Sequence, residues 1–223
     1  MTNITLVIPA KKENESLPKV LDELKNYNYK VMVVLHSTDE ETINSIKDYN
    51  VQIVYQKNFG YGDALITGIK NTKTKLFCIF NADGSFKPDE IEIMYNKIKD
   101  ENIDIIFGSR YSKNGMSDDD TFITLIGNYI FSSLGKLFFG LNINDILYTF
   151  VLGKTDKVNE INLKSSDFCF CVELPIKAKK MSMSISEIPC HERTRIAGRK
   201  KVNAFKDGFL ILIKMIKLFF VKN

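Results

Sequence analysis

The chain has 223 residues, of which 44% are hydrophobic and 26% charged, and its formal net charge is +4. That length can bury a sizeable core, and the balanced composition excludes a low-complexity chain. So small a cationic surplus gives no ground for a nucleic-acid partner; where the cations sit matters more.

The opening MTNITLVIPA has neither a basic n-region nor a long apolar h-region, so no signal peptide is expected. ITLVIP (4–9) reads as a strand ending at Pro9. Within 14–26, Leu17, Val20, Leu21 and Leu24 share one helical face. KVMVVL (30–35) is a second strand, and 39–49 a helix with acids in its first turn. VQIVYQ (51–56) is a third strand, followed by a glycine-rich turn and a helix over 62–71. KLFCIF (75–80) is a fourth strand, 88–99 a helix opened by Pro88, and IDIIFG (103–108) a fifth strand. Apolar strands separated by helices predict an α/β fold with a mainly parallel central sheet covered on both faces. Ligands of such sheets bind at the carboxyl ends of the strands. The segments Pro9–Glu13, Leu35–Ser37, Lys57–Gly62, Asn81–Gly84 and Gly108–Tyr111 are therefore expected to converge.

The second half is less regular. TFITLIGNYIFSSLGKLFFGL (121–141) reads as a long apolar helix, but Asn128, Ser132, Ser133 and Lys136 argue against a membrane span. Residues 168–190 read as a strand, a helix and the strand SISEIP. Cys169 and Cys171 alternate as strand residues do; with Cys78 and Cys190 they read as buried free thiols, which suits a reducing cytoplasm. HERTRIAGRKK (191–201) is a basic loop. The terminal segment 205–223 reads as a basic amphipathic helix appended to a domain of residues 1–204. Lys206, Asp207, Lys214 and Lys217 fall on one arc, and the apolar remainder is too short to span a bilayer. It suits an anionic membrane surface; the alternative is a helix docked on the domain or on a second copy in a homo-oligomer.

Some residues carry chemistry. NADGSFKPDEI (81–91) follows the fourth strand at once, and Asp83 is the best single metal-ligand candidate; Asn-Ala-Asp-Gly is also good turn chemistry. Gly60 and Gly62 let a backbone approach a ligand closely, and the next helix offers its N-terminal amides. Arg195, Arg199, Lys200 and Lys201 surround Gly198, either as a solvated face or as a phosphate-binding loop.

In chain order, VIPAKKENESLP (7–18), NFGYGDALITGI (58–69), NADGSFKPDEI, FGSRY (107–111), NDILYTF (144–150) and EIPCHERTRIAGRKK (187–201) resemble the motifs of family 2 glycosyltransferases. Within that family they are most similar to the polyprenyl-phosphate glycosyltransferases of the dolichol-phosphate mannose synthase type. The resemblance implies a GT-A fold and glycosyl transfer from a nucleotide sugar to a membrane-proximal acceptor such as a polyprenyl phosphate. It also implies inversion and a divalent cation, Mg²⁺ or Mn²⁺, held by Asp83. Donor contacts then fall to Pro9, Ala10, Glu13, His36, Asn58, Gly62, Asn81, Asp83, Arg195 and Lys201. Acceptor contacts fall to Arg110, Thr124 and Asn128, with Arg110 and Asp145 as the catalytic pair. A cytoplasmic enzyme on the inner membrane face is implied. The chain departs from the pattern at Leu35 and His36, where acids are usual, at Asn81 for Asp, at Lys200 for Ser, and at Tyr148-Thr149 for Ser-Gly. Acids also fill SDDDT (117–121), where the lipid-phosphate enzymes carry arginines. Transfer to a sugar hydroxyl of a growing glycan, and a catalytically weak nucleotide-sugar-binding or scaffold protein, are the alternative readings.

Overall fold

The five apolar runs of the first half form β1 (Ile4–Pro9), β2 (Lys30–Leu35), β3 (Gln52–Tyr55), β4 (Leu76–Ile79) and β5 (Ile105–Ser109) in a computed structural model that describes residues 3–198 and 202–221. Between them lie α1 (Leu17–Leu24), α2 (Glu40–Ser45), α3 (Tyr61–Asn71) and α4 (Asp89–Asp100). Pro18 opens α1, and Pro88 precedes α4, whose first turn carries Asp89, Glu90 and Glu92 against the helix dipole.

With β8 at Ile185–Pro189 and β7 at Val151–Lys154, the main sheet runs β3-β2-β1-β4-β7-β5-β8. Its pairs β1–β2, β1–β4, β2–β3 and β5–β8 are parallel. The exception is β7, which runs antiparallel between β4 and β5. This strand has no counterpart in the sequence reading: VLGK is too short for its period to show. It is followed by α6 (Thr155–Glu160). A second, two-stranded sheet joins β6 (Met116–Ser117) to β9 (His191–Glu192). The loop expected over 191–201 therefore begins as a strand.

One correction concerns the cysteines. Cys169 and Cys171 do not alternate along a strand; Cys169 caps α7 (Phe170–Lys180) and Cys171 lies in its first turn. A short apolar run cannot separate the two periods, and the Glu173–Lys177 pair at helical spacing favours the helix. All four cysteines are buried free thiols.

Strand alternation divides the core into two layers. Val7, Met32, Val34, Phe77 and Ile79 face α3, α5 (Phe122–Phe139), α7 and α8 (Ala204–Phe220). Leu6, Ile8, Val33, Leu35 and Cys78 face α1 and α4. The terminal helix α8 is docked on the body, with Ile211, Met215 and Leu218 buried against α5 and α7. Lys214 reaches the buried Glu173 at 3.1 Å, and Lys180 Nζ donates to the Leu218 carbonyl at 2.6 Å. Burial alone would raise the Glu173 pKa; Lys177 and the backbone N–H groups of Ser165 and Lys164 outweigh it and hold it down at about 2.

Candidate active site at the strand ends

The strand-end segments do meet along one edge of the sheet. Ala10 N–H donates to the Val34 carbonyl beyond Pro9, which tucks the first loop under β2. Lys12 adopts a positive φ of 54° and donates its N–H to Asp39 at 2.7 Å. Buried Glu13 is held there by Thr42 and by Ser16, whose hydroxyl donates at 2.6 Å. His36, at the end of β2, stacks on Phe59 with ring centroids 4.0 Å apart. Phe59 is 66% exposed, so the pair offers an open aromatic face. Phe59 lies inside the motif NFGYGDA, yet a phenylalanine between polar turn residues gives no sign of its role until the fold stacks it on His36.

The glycine-rich turn is shaped by the chain itself. A Cβ on Gly60, where φ is +137°, would stand 2.1 Å from the Ser166 carbonyl oxygen. One on Gly62 would stand 2.1 Å from that of Ser165. The backbone these glycines admit is loop 165–167. Asn58 donates its backbone and side-chain N–H groups to Asp63, closing the turn.

At the end of β4, Asp83 Oδ1 accepts from Ser85 N–H (3.0 Å) and Ser85 Oγ (2.7 Å). Its Oδ2 lies 3.7 Å from Arg195 Nη1. Asn81 is oriented from both sides: Tyr61 OH donates to its Oδ1 and its Nδ2 donates to Ser85 Oγ, both at 3.4 Å. Tyr61 also shares a 2.6 Å hydrogen bond with Thr149. Three positions that depart from, or vary within, the motifs are thus linked in one chain of hydrogen bonds.

The basic segment lies across this turn. Arg193 N–H donates to the Ser85 carbonyl and Ile196 N–H to the Asp83 carbonyl, each at 2.8 Å. Arg193 also grips Glu23 with both terminal nitrogens at 2.9 Å. Gly198 passes Glu13: a Cβ there would lie 4.0 Å from its Oε2. Arg195 sits between Asp83 and Asp119, with Nη2 2.6 Å from Asp119 Oδ2. Burial would lower its pKa, but Asp119 and then Asp83 raise it. Arg199, Lys200 and Lys201 fall outside the described residues.

On the other side of the sheet edge, Arg110 and Asp145 form a bidentate pair, Nε–Oδ2 2.8 Å and Nη2–Oδ1 3.0 Å. Arg110 N–H adds a third bond to Oδ2 at 3.0 Å. Arg110 also meets Glu192 at 3.1 Å and lies over the rings of Tyr111 and Tyr148. Burial opposes its charge, but Asp145 and Glu192 prevail and hold its pKa well above the usual value. Asp145 is 1% exposed, with both oxygens engaged. Behind it, buried Asn128 accepts from Leu147 N–H and Ser132 from Ile146 N–H, so α5 carries the Asp145 segment. Thr124 completes the N-terminal capping box of α5 with Thr121 and bonds Asp120.

Among the described residues no cluster of three or more His, Cys, Asp or Glu forms a self-sufficient metal cage. The donor set at β4 suits a hard cation nonetheless: one carboxylate with Oδ1 fixed by Ser85, and the Asn81 amide tied to the same serine.

Comparison with known proteins gives a consistent answer. The family described as Glycosyl transferase family 2 matches residues 5–161. A UDP-N-acetylglucosamine–dolichyl-phosphate N-acetylglucosaminyltransferase of Methanococcus voltae is 26% identical, over 96% of this chain and 97% of that protein. A dolichyl-phosphate beta-glucosyltransferase of Trichomonas vaginalis is 27% identical, over 95% of this chain and 72% of that protein. Glucosyl-3-phosphoglycerate synthase of Mycobacterium tuberculosis, solved with Mn²⁺, UDP and glucosyl-3-phosphoglycerate, superposes with a TM-score of 0.77 at 12% identity, covering 100% of this chain and 81% of that one. The fold is therefore GT-A, as the motif order implied. The protein is a glycosyltransferase, and the chain belongs to glycosyl transferase family 2, near its polyprenyl-phosphate types.

Proposed function

We propose that the protein transfers a glycosyl group from a nucleotide sugar to a polyprenyl phosphate at a membrane surface, with a divalent cation held by Asp83. The observation that carries the donor half is the meeting of Asp83 and Arg195, from segments far apart in sequence, at the end of β4. The nucleobase is assigned to the His36–Phe59 face and the diphosphate to the side of Arg195. A cation bound by Asp83, assisted by the Asn81 carbonyl, would supply charge neutralisation of the leaving diphosphate. The acceptor oxygen forms its bond to the anomeric carbon as the bond to the donor phosphate breaks, and the electron pair leaves on the nucleoside diphosphate. A single displacement of this kind inverts the anomeric centre.

The acceptor side favours a phosphate nucleophile over a sugar hydroxyl. A hydroxyl needs a general base, and Asp145 has both oxygens taken by Arg110. A phosphate monoester is already anionic and needs none. The same arrangement makes Asp145 the residue that sets the Arg110 fork and makes Asn128 a support for that segment.

The surface supports a lipid-linked acceptor. Among the described residues, α5 is the one helix long and apolar enough to cross a membrane, yet its inner stripe is committed to the protein. Its outer face exposes Phe122, Tyr129 and Leu137 at 77%, 73% and 75%. Beside it α8 exposes Phe205, Phe209 and Phe220, next to the exposed Lys206 and Lys217. Two adjacent apolar faces edged by lysines suit the interface of an anionic leaflet, in keeping with an enzyme on the cytoplasmic side of the membrane.

Two measurements test these halves. Nucleoside diphosphate sugars with Mn²⁺ are expected to raise the melting temperature by several degrees at about 100-fold excess over Kd, a stabilisation of about 2.7 kcal/mol. No stabilisation by any nucleotide at millimolar concentration would remove the donor assignment. Vesicles containing anionic phospholipid are expected to float the protein, and Phe209→Ser with Phe220→Ser to weaken binding about tenfold or more. Equal flotation of the variant would remove the membrane assignment.

A further inference from the structure

We propose that Asp119 occupies Arg195 in the donor-free protein as a carboxylate stand-in for the donor's phosphate, and so sets the donor affinity of this site. The acidic run 118–120 is not a solvated stretch. Asp118 bonds His191 at 2.7 Å, Asp119 bonds Arg195, and Asp120 bonds Tyr111 and Thr124. Each acid fastens a different segment, but only the middle one takes a cation already assigned to the ligand. Asp119 and Arg195 side chains are 14% and 20% exposed, so the pair is partly shielded from water.

The geometry is asymmetric. Arg195 Nη2 stands 2.6 Å from Asp119, whereas Nη1 stands 3.7 Å from Asp83. The guanidinium is thus committed to Asp119, and that edge of the fork cannot also face a diphosphate. With Asp119 against Nη2 and Asp83 nearer Nη1, the guanidinium is shared between two carboxylates before any donor binds. The exchange needs little motion. Backbone bonds from Arg193 and Ile196 to the turn at Asp83 and Ser85 hold the chain on either side of Arg195. The guanidinium can then swing from Asp119 to a phosphate by rotamer change, with the loop in place.

This inference rests on the donor reading above, and the test separates the two. Inorganic pyrophosphate with Mg²⁺ is titrated calorimetrically into wild type, Asp119→Asn, Asp119→Ser and Asp118→Asn. Asp119→Asn and Asp119→Ser are expected to tighten Kd about 3- to 10-fold. Asp118→Asn makes the same change of charge one residue away and is expected to stay within twofold of wild type. Unchanged or weaker binding in both Asp119 variants overturns the proposal, as does equal tightening in Asp118→Asn, which would reduce the effect to general charge. In parallel, a thermal double-mutant cycle of Asp119→Asn and Arg195→Gln without ligand is expected to show a favourable coupling. Absent coupling overturns the contact itself. Coupling with no pyrophosphate binding by any variant overturns the donor reading, and the proposal with it, while leaving the ion pair established.

Discussion

Replacing Asp83 by alanine is expected to abolish the metal dependence of nucleotide binding and to lower turnover at least about 100-fold, or about 2.7 kcal/mol of barrier. The side chain has two jobs at two oxygens. Oδ1 terminates the turn by accepting from Ser85, and Oδ2, 3.7 Å from Arg195, is the oxygen proposed to meet the cation. Alanine removes both, so loss of activity alone would not separate a lost ligand from a loosened turn. Asparagine keeps an oxygen for Ser85 and removes the charge. Asp83→Asn is therefore expected to melt within a few degrees of wild type yet to bind the nucleoside diphosphate that stabilises wild type equally with and without Mn²⁺. Retention of the full Mn²⁺ effect in Asp83→Asn would place the cation elsewhere. The converse change tests Asn81. Asn81→Asp keeps the acceptor for Tyr61 and adds a second carboxylate to the donor set, so Mn²⁺ is expected to bind more tightly. If it does not, Asn81 lies outside the reach of the cation.

Breaking the Arg110–Asp145 pair is expected to cost about 3–5 kcal/mol of stability, and so to lower the melting temperature by about 10 °C or more. The pair is bidentate, its carboxylate is 1% exposed, and a backbone N–H completes the shell. Asp145→Ala leaves a buried guanidinium facing Glu192 alone, and Arg110→Ala leaves a buried carboxylate with one backbone donor. Either single change should therefore cost more than half of the double change, because the double variant removes both members of the buried pair and leaves only Glu192, still bonded by Ser117, without its cation. Urea unfolding of the four species measures this. Additive single effects, or an Asp145→Asn variant within 1 kcal/mol of wild type (about the size of an ordinary hydrogen bond), would show that the ion pair is not what holds this edge. Where the variants fold, acceptor binding should weaken with Arg110, not recover on raising pH, since the proposed nucleophile needs no base.

Much of the fold was legible because its first five strands are mostly apolar and its helices carry clear faces; Leu17, Val20, Leu21 and Leu24 are all buried as their spacing implied. β7 was not legible, because four residues with a central glycine carry neither period nor propensity. The Cys169–Cys171 alternation misled for a related reason: alternation over so few residues fits the first turn of a buried helix as well. At the candidate site, single residues could be nominated from their motifs, but their partners could not. Asp119 meets Arg195 across 76 positions and Tyr61 meets Thr149 across 88. Contacts at that separation depend on the sheet order, and the sheet order depends on the strand that the sequence concealed. The acids at 118–120 looked like an obstacle to a phosphate until the fold supplied each with a partner.

That concealed strand also constrains how the chain can assemble. β4 and β5 follow one another in sequence but never touch; β7 lies between them and sets the register of both, Leu76 opposite Lys154 and Ile105 opposite Gly153. While the chain emerges from the ribosome, β3-β2-β1-β4 can form a parallel half-sheet, but its β4 edge stays open until residues 151–154 arrive. By then the whole of α5, with its apolar outer face, is already exposed. Late, long-range closure of this kind slows folding and leaves a sticky intermediate in the meantime. A nascent chain stalled before Val151 should accordingly be a strong chaperone substrate, and one stalled well beyond Lys154 a much weaker one.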